Sequence, residues 1–263
     1  MRKFSRWSSI VYGVLIYSFL YIPIFTLIFY SFNDSKLNAV WKGFTFDWYI
    51  KLWSNTNILD AAKVSVTVGI VSTIVATMLG TFVAVGMYRY RFRGKGILDA
   101  MLYVPLVMSE IVMGIGLLVL FSMIEFPLGM GTIIIAHITF CIPFVVVVVN
   151  ARLDGFDRSV EEAAMDLGAN EWHTFRLVTL PILGPAIAAS AMLAFTVSID
   201  DVIVSFFVAG PASTTLPLQI FSMVRQGVTP EINALSTIML VITLALVIFA
   251  QRIQLKKTTK KVG

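Results

Sequence analysis

Long apolar stretches, separated by short polar segments, dominate the pattern along this chain of 263 residues. A transmembrane α-helix needs about 20 mostly apolar residues to cross the hydrocarbon core of a bilayer. Six stretches approach or exceed that length, at residues 10–31, 64–87, 97–122, 131–150, 186–208 and 234–251. The pattern therefore predicts an all-α integral membrane protein with six transmembrane helices, in a single transmembrane domain over residues 1–263.

The composition agrees with a membrane location. Hydrophobic residues make up 58% of the chain and charged residues only 13%, far from the balance of a soluble globular domain. The first apolar stretch is about twice as long as a signal-peptide core and lacks a small-x-small cleavage pattern, so we expect it to stay attached as an anchor. The one cysteine, Cys141, has no partner for an intrachain disulfide and is expected to be a small core residue.

The distribution of lysine and arginine predicts the orientation. If the N-terminus is inside, the cytoplasmic segments hold fifteen of the twenty basic residues, within 2–6, 89–95, 152–176 and 252–261. The outer segments hold the remaining five, which are Lys36, Lys42, Lys51, Lys63 and Arg225. This is the bias that the positive-inside rule requires, so both termini are expected in the cytoplasm. The bias also accounts for the net charge of +5 without a nucleic-acid partner.

The outer loop, residues 32–63, is rich in aromatic residues. Its aromatic side chains include Trp41, Phe44, Phe46, Trp48, Tyr49 and Trp53. One interpretation is an interfacial aromatic belt on a short helix that lies along the membrane. The other is that Trp48, next to Asp47, contacts an organic cation through the face of its ring. The sequence leaves both open.

The inner loop, residues 151–180, contains signals for two short helices. Ser159-x-x-Glu162 fits a capping box at the start of the first helix. Gly168 is suited to a left-handed stop at its end, and Asn170 to the cap of the second helix. The loop is therefore predicted to form a compact helical knob on the cytoplasmic side. An ordinary solvated connector would show the same periodicity.

The spacing of residues in this loop carries a resemblance to a known family. The series reads Glu162-Ala163-Ala164, three residues, Gly168, nine residues, and Val178-x-Leu180-Pro181. It resembles the EAA loop, EAA-x3-G-x9-I-x-L-P, of the permease subunits of bacterial ABC importers. Only the isoleucine position departs, to Val178, which is also β-branched and apolar. The resemblance implies the type I ABC importer permease fold, with the loop at about 151–181 acting as a coupling helix.

Other segments extend the resemblance to nearly the whole chain. "YRYRFRGK", "HITFCIPFVVVVV" and "FTVSIDDVIVSFFVAGP" are similar to the C-type permeases of bacterial spermidine/putrescine importers. The resemblance implies an inner-membrane subunit that works with a second homologous permease, a dimer of cytoplasmic ABC ATPase subunits and an extracytoplasmic polyamine-binding protein. The residues implied to couple to the ATPase are Glu162, Ala163, Ala164, Gly168 and Glu171. The chain has no G-x-x-x-x-G-K-[ST] phosphate loop, so it is expected to be a transporter subunit without enzymatic activity or a cofactor of its own.

Two adjacent carboxylates, Asp200 and Asp201, interrupt an apolar run. A charged side chain near the centre of a bilayer costs about 2.5–3.5 kcal/mol even on lenient scales, so it usually serves a pathway or a partner. We expect both aspartates to line a cation pathway with Glu110 and Ser198, because straight helices place Glu110 and Asp200 about 22 and 28 Å above their cytoplasmic ends. The alternative is that the helix ends here and that both aspartates are structural.

Two further interpretations compete with the polyamine permease. The same architecture could import iron(III), sulfate or thiosulfate, but an anionic cargo fits poorly with intramembrane carboxylates. An ATP-independent channel or a membrane scaffold would leave the EAA series without a use. His137 and His173 lie on different segments without metal-ligand spacing, so no metal site is expected.

Overall fold

The computed structural model describes residues 2–35, 40–227 and 229–259, with side chains described from residue 10 onward apart from 36–39, 228, 246 and 249–259. The helices are α1 (Arg2–Tyr30), α2 (Asp47–Ser54), α3 (Thr56–Arg89), α4 (Lys95–Val107), α5 (Glu110–Met123), α6 (Met130–Leu153), α7 (Ser159–Asp166), α8 (Glu171–Thr174), α9 (Leu180–Asp200), α10 (Ile203–Val208), α11 (Leu216–Gln226) and α12 (Pro230–Thr259). A π-helical segment, Phe175–Thr179, joins α8 to α9. The all-α prediction is confirmed.

By helix length and apolarity, the described residues contain fewer membrane crossings than the six that the sequence predicts. Among the described residues, four helical segments are long and apolar enough to cross: Ile10–Tyr30, Thr56–Arg89, Met130–Leu153 and Glu171–Asp200. The pair α4 and α5 would be a fifth if it is one broken crossing. The predicted crossing at 234–251 lies on α12, where the described apolar part, Pro230–Ala245, is shorter than a crossing needs and the side chains of 249–251 lie outside the described residues.

The predicted crossing at 97–122 is wrong as a single straight helix. Helix α4 ends at Val107, the backbone is extended at Met108 and Ser109, and α5 leaves at an angle of 113° to α4. Pro105 lies in the last turn of α4, where it has no backbone N–H to donate to the carbonyl of Met101 and so weakens the end of the helix. The estimate that Glu110 stands about 22 Å above Lys95 on a straight rod therefore does not apply.

The predicted crossing at 186–208 is likewise interrupted. Helix α9 ends at Asp200, Asp201 is extended (φ −67°, ψ 128°), and α10 begins at Ile203. The Asp201 carboxylate accepts the backbone N–H groups of Val204 and Ser205, at 3.1 and 2.8 Å. A side chain that takes these N–H groups replaces the carbonyls of a continuous helix, so the polar pair itself explains the break.

The chain forms two compact units. The first combines Met1–Leu59 with Gln219–Ala245 and includes α1, α2 and an isolated β-bridge between Asn33 and Phe44. The second combines Asp60–Leu218 with the C-terminal segment Leu246–Gly263. Its core is built where α6 packs on α9 and α10 packs on α5, and it includes Cys141, which is fully buried as predicted. The single domain over 1–263 stays a prediction.

Candidate functional site

A cleft of about 470 Å³ in the second unit opens beside the break between α9 and α10. Glu110 of α5, Asp200 at the end of α9 and Asp201 in the break line it together, although Glu110 is distant in sequence from the two aspartates. The remaining lining is mostly apolar and includes Phe140 and Phe144 of α6. A mainly apolar cleft with a few carboxylates is suited to a cation with a hydrocarbon body.

Both helix breaks position the acidic groups of this cleft. Glu110 is the first residue of α5 and is exposed, so its side chain projects where α4 and α5 diverge. Its negative charge lies in the first turn of the helix, where the macrodipole favours an anion. Asp200 is the last residue of α9 and is also exposed.

Asp201 differs from its neighbour. Only 4% of its side chain is exposed, and its two oxygens accept the N–H groups that start α10. The structural alternative weighed from the sequence therefore describes Asp201, which is the cap of a helix. Asp200 keeps the exposure that a cargo contact needs.

Ser198 is buried away from the cleft. Its hydroxyl lies 2.7 Å from Nδ1 of His137, and Ser198 is absent from the lining of the cleft. The other ring nitrogen of His137, Nε2, lies 3.1 Å from Ser205 Oγ and 3.4 Å from Asp201 Oδ2. His137 itself is fully buried. The spacing of residues 198, 201 and 205 is the sequence signal for this cluster, because buried polar groups need hydrogen-bond partners.

Trp48 belongs to the first unit and lies on α2, the short outer helix that the sequence predicts. Its indole N–H donates to the backbone carbonyl of Asn33 at 2.8 Å, and the ammonium group of Lys51 lies 4.4 Å from the centre of its ring. One face of the ring is therefore already in contact with a cation of the same chain. Trp53 and Phe44 are strongly exposed, which suits an aromatic belt, and that role stays a prediction.

The inner loop begins differently from the predicted capping box. Ser159 is the first residue of α7, so the N-cap position falls on Arg158, whose side chain makes no capping bond. The backbone N–H of Ser159 is accepted by the carboxylate of Asp157 at 3.0 Å, and this bond holds the pKa of Asp157 below its usual value. Glu162 is exposed and does not close the box. The capping box is wrong because an aspartate two residues earlier supplies the acceptor.

The turn after α7 has the predicted form. Gly168 has φ +93°, its N–H donates to Met165 O at 2.9 Å, and the N–H of Ala169 donates to Ala164 O at 3.1 Å. These two bonds form a Schellman motif, for which glycine in the left-handed conformation is the usual residue. The Asn170 side chain accepts the N–H of His173, which confirms the second cap. The second helix, however, continues through the π-helical segment into α9 without a separate end.

Glu161, which the sequence analysis did not single out, holds the loop in place. It is almost fully buried, and both Nη2 of Arg89 and the Thr179 hydroxyl donate to its Oε1. Arg89 also donates to Thr179 Oγ1 at 3.0 Å. Helix α7 is thereby joined to the end of α3 and to the π-helical segment. The pairing joins residues 72 apart in sequence, so no local pattern reveals it.

The residues implied to couple to an ATPase lie on the exposed side of the inner loop. Glu162, Ala163 and Gly168 are exposed, and Ala164 is half-buried. Glu171 accepts the hydroxyl hydrogen of Tyr90 at 2.8 Å, and this bond raises the pKa of Tyr90. Exposed apolar side chains stand among them, with Leu167 at 91% exposure. An exposed patch that mixes small, apolar and acidic groups suits contact with another protein.

The long apolar helices, the exposed inner loop and the acidic cleft can be compared with known families. Residues 76–256 match the family described as "Binding-protein-dependent transport system inner membrane component". The match covers more than half of the chain, and the chain belongs to this family. It is therefore a multi-pass membrane component of a transport system, and its class is not that of an enzyme.

Known relatives are similar over most of their length. The spermidine/putrescine transport system permease protein PotC of Escherichia coli strain K12 is 50% identical over 248 residues, 94% of each chain. PotC of Haemophilus influenzae is 46% identical over 242 residues, 92% of this chain and 94% of the relative. The putrescine transport system permease protein PotI of E. coli K12 is 44% identical over 243 residues, 90% of this chain and 86% of the relative.

Solved structures agree on the fold. A chain of a bacterial ABC transporter for the import of the acidic polysaccharide alginate superposes with a TM-score of 0.77 at 19% identity, covering 97% of this chain and 96% of that one. A chain of an amino acid ABC transporter has a TM-score of 0.60 at 16% identity, covering 81% and 99%. At these identities the likeness concerns the fold alone.

Proposed function

We propose that this chain is a permease subunit of an ATP-driven importer and that it moves polyamines such as spermidine and putrescine into the cytoplasm. The proposal rests on the cleft, which is lined by the exposed residues Glu110 and Asp200 and otherwise mostly by apolar residues. The names of the similar PotC and PotI permeases agree with a polyamine cargo.

The chemistry of the cleft favours a polyamine over the other cargoes considered. A polyamine has ammonium groups separated by methylene chains, which match carboxylates separated by apolar surface. Fixed carboxylates replace the hydration of a cation in a constriction, and sequential contacts let it leave again. Sulfate and thiosulfate would meet like charge in this cleft.

Six crossings and an N-in, C-in orientation are part of the proposal. In this arrangement α4 and α5 form one broken crossing and α12 supplies the last one. Single cysteines at Lys42 and Lys257, in a Cys141→Ala background, should react with an impermeant reagent from outside and inside respectively. Lys257 lies among the residues whose side chains are not described. Labelling of position 257 from outside would overturn the orientation.

The exposed side of the inner loop is proposed to dock on a separate ATPase dimer, which supplies the energy. Glu162, Ala163, Ala164, Gly168 and Glu171 would form or position that contact. A second permease would complete the pathway, and an extracytoplasmic binding protein would deliver the cargo. ATP binding would then move the permease halves as rigid bodies around the docked loop.

Uptake by the reconstituted complex tests the cargo. Asp200→Asn and Glu110→Gln should each lower the uptake of labelled spermidine tenfold or more, because one charged hydrogen bond is worth about 1.5–3 kcal/mol. Asp99→Asn is the matched control, since Asp99 lies on α4 but does not line the cleft. Normal uptake in both cleft variants, with the complex assembled, would refute the assignment of the cleft.

A further inference from the structure

The buried cluster around His137 links three elements behind the cleft. The imidazole lies on α6, Ser198 on the last turns of α9, Asp201 in the break, and Ser205 on α10. Its distances to them are 2.7 Å from Nδ1 to Ser198 Oγ, 3.4 Å from Nε2 to Asp201 Oδ2, and 3.1 Å from Nε2 to Ser205 Oγ. One side chain of α6 therefore contacts both helices on either side of the break and the residue within it.

Both ring nitrogens of His137 face oxygen atoms. Nδ1 faces the Ser198 hydroxyl, and Nε2 faces the Ser205 hydroxyl and the Asp201 carboxylate. Both nitrogens are satisfied in a fully buried place, where an unpaired one would be costly. The ring is thus held in one orientation by α9 and by the break together.

This arrangement determines where Asp200 stands. The Asp201 carboxylate is held by His137 on one side and by the N–H groups of Val204 and Ser205 on the other. Asp201 is therefore kept extended, and the residue before it ends α9 at the cleft. In a continuous helix the side chains of Asp200 and Asp201 would instead point about 100° apart around the helix axis, and α9 would not end at the cleft.

We propose that His137 is the positioning residue of the cleft: it fixes the break between α9 and α10 through Ser198 and Asp201, and so sets the place of the Asp200 carboxylate without touching the cargo. The proposal deepens the proposed function and rests on it, because Asp200 is taken as a cargo contact. His137 is fully buried and does not line the cleft, so its effect on transport must act through other residues.

A labelling experiment measures the position of residue 200 directly. Asp200→Cys in a Cys141→Ala background leaves one cysteine in the chain. Its rate of reaction with a cationic methanethiosulfonate reagent is measured in the assembled importer, built with cysteine-free partner subunits. His137→Gln should change this rate several-fold. Ser190→Ala is the matched control, because Ser190 is buried on α9 but bonds within its own helix, to Ile187 O.

A transport experiment separates positioning from a general loss of structure. With loaded binding protein, His137→Gln should lower spermidine uptake about tenfold, as small displacements of a contacting group do, while ATP hydrolysis stays within about twofold of wild type. Added to Asp200→Asn, the same change should lower uptake little further, because both act on one contact. The proposal would be overturned if the losses of uptake in His137→Gln and Asp200→Asn added up in the double variant. An unchanged labelling rate at position 200 in His137→Gln would also overturn it.

These measurements distinguish failure of the cleft assignment from failure of the positioning role of His137. Normal uptake in both Asp200→Asn and Glu110→Gln would refute the cleft as a cargo site, while the labelling rate would still decide whether His137 positions residue 200. If His137→Gln does not assemble, Ser198→Ala is measured instead, since it removes one bond to the ring and keeps the imidazole. An unchanged labelling rate in Ser198→Ala then overturns the proposal.

Discussion

Two pairs of adjacent acidic residues, Glu161–Glu162 in the inner loop and Asp200–Asp201 at the cleft, are divided in the same way. In each pair one side chain is almost fully buried and bonded to other elements, while its neighbour is exposed. Glu161 and Glu162 are successive residues of α7 and so point about 100° apart, whereas Asp200 and Asp201 are separated because α9 ends between them. The buried acid holds a junction, and its exposed neighbour faces whatever binds there.

The two junctions differ in the basic group that meets the acid. Glu161 is paired with Arg89, whose guanidinium stays charged, whereas Asp201 meets the His137 imidazole and two backbone N–H groups. Removal of the base therefore leaves an uncompensated charge at the loop. At the cleft, the two N–H bonds of α10 remain. The loop junction should consequently be the more sensitive of the two.

The largest expected effect is on the loop junction. Arg89→Ala should destabilise the protein by about 3–5 kcal/mol, because Glu161 would remain buried without its cation. The side chains of Arg89 and Glu161 are only 14% and 4% exposed. Retention of the detergent-solubilised protein after heating, followed by size-exclusion chromatography, measures the loss. Arg91→Ala, at an exposed position two residues on, is the control. Equal stability of the two variants would remove the proposed difference between the junctions.

The second-largest effect is expected at Gly168, in the turn after α7. Gly168→Val should cost about 1–2 kcal/mol, because a residue with a side chain resists the left-handed conformation. A Cβ there would meet nothing within 4 Å, so the cost is conformational and folding should persist. ATP-driven uptake should fall more than stability does, whereas Gly168→Asn should retain more uptake because asparagine tolerates this conformation. Equal uptake in the valine variant and wild type would refute the coupling role of the turn.

A smaller effect is expected at the cleft junction. Asp201→Ala should destabilise by about 1 kcal/mol, the usual loss for a helix cap, while Asp200→Ala should change stability by less. Uptake should fall more in Asp200→Ala than in Asp201→Ala, because Asp200 is the exposed member of the pair. Thermal unfolding in detergent and uptake in proteoliposomes supply the two measurements. A larger loss of stability in Asp200→Ala than in Asp201→Ala would contradict the division of roles.

The smallest effect concerns the exposed bond from Tyr90 to Glu171. The carboxylate raises the pKa of the Tyr90 hydroxyl, so the folded state favours the protonated form. The contribution to stability is fully present below about pH 10, the ordinary tyrosine pKa, and is lost as the pH rises through the raised value. A spectrophotometric titration should show the late tyrosine ionisation disappear in Glu171→Gln. Tyr90→Phe should leave stability at neutral pH nearly unchanged.

The sequence predicts the all-helical class, the inner loop and the acidic cleft for identifiable reasons. Apolar length predicts membrane helices, and a glycine followed by an asparagine marks the turn at Gly168 and the cap at Asn170. Three acids in otherwise apolar stretches indicate a polar site, and Glu110, Asp200 and Asp201 do line one cleft. These signals are local, or depend on residue type alone.

Two of the errors depended on a competing polar contact. The crossing at 186–208 breaks because Asp201 accepts N–H groups that a straight helix would have used internally. The capping box fails because Asp157 supplies the acceptor in place of Ser159. The contact of Glu161 with Arg89 and the contacts of His137 with Ser198 and Ser205 join residues 61 to 72 apart, which no single-sequence periodicity encodes.

The uninterrupted helical path from Glu171 to Asp200 has a mechanical consequence. Its 30 residues include the π-helical segment and make a rod about 45 Å long at 1.5 Å per residue. The rod begins beside the exposed loop and ends at the cleft. A tilt of about 10° about the loop end would carry the far end through about 8 Å on a rod of this length. A small angle imposed at one end is thus converted into a displacement larger than the diameter of an ammonium group at the other.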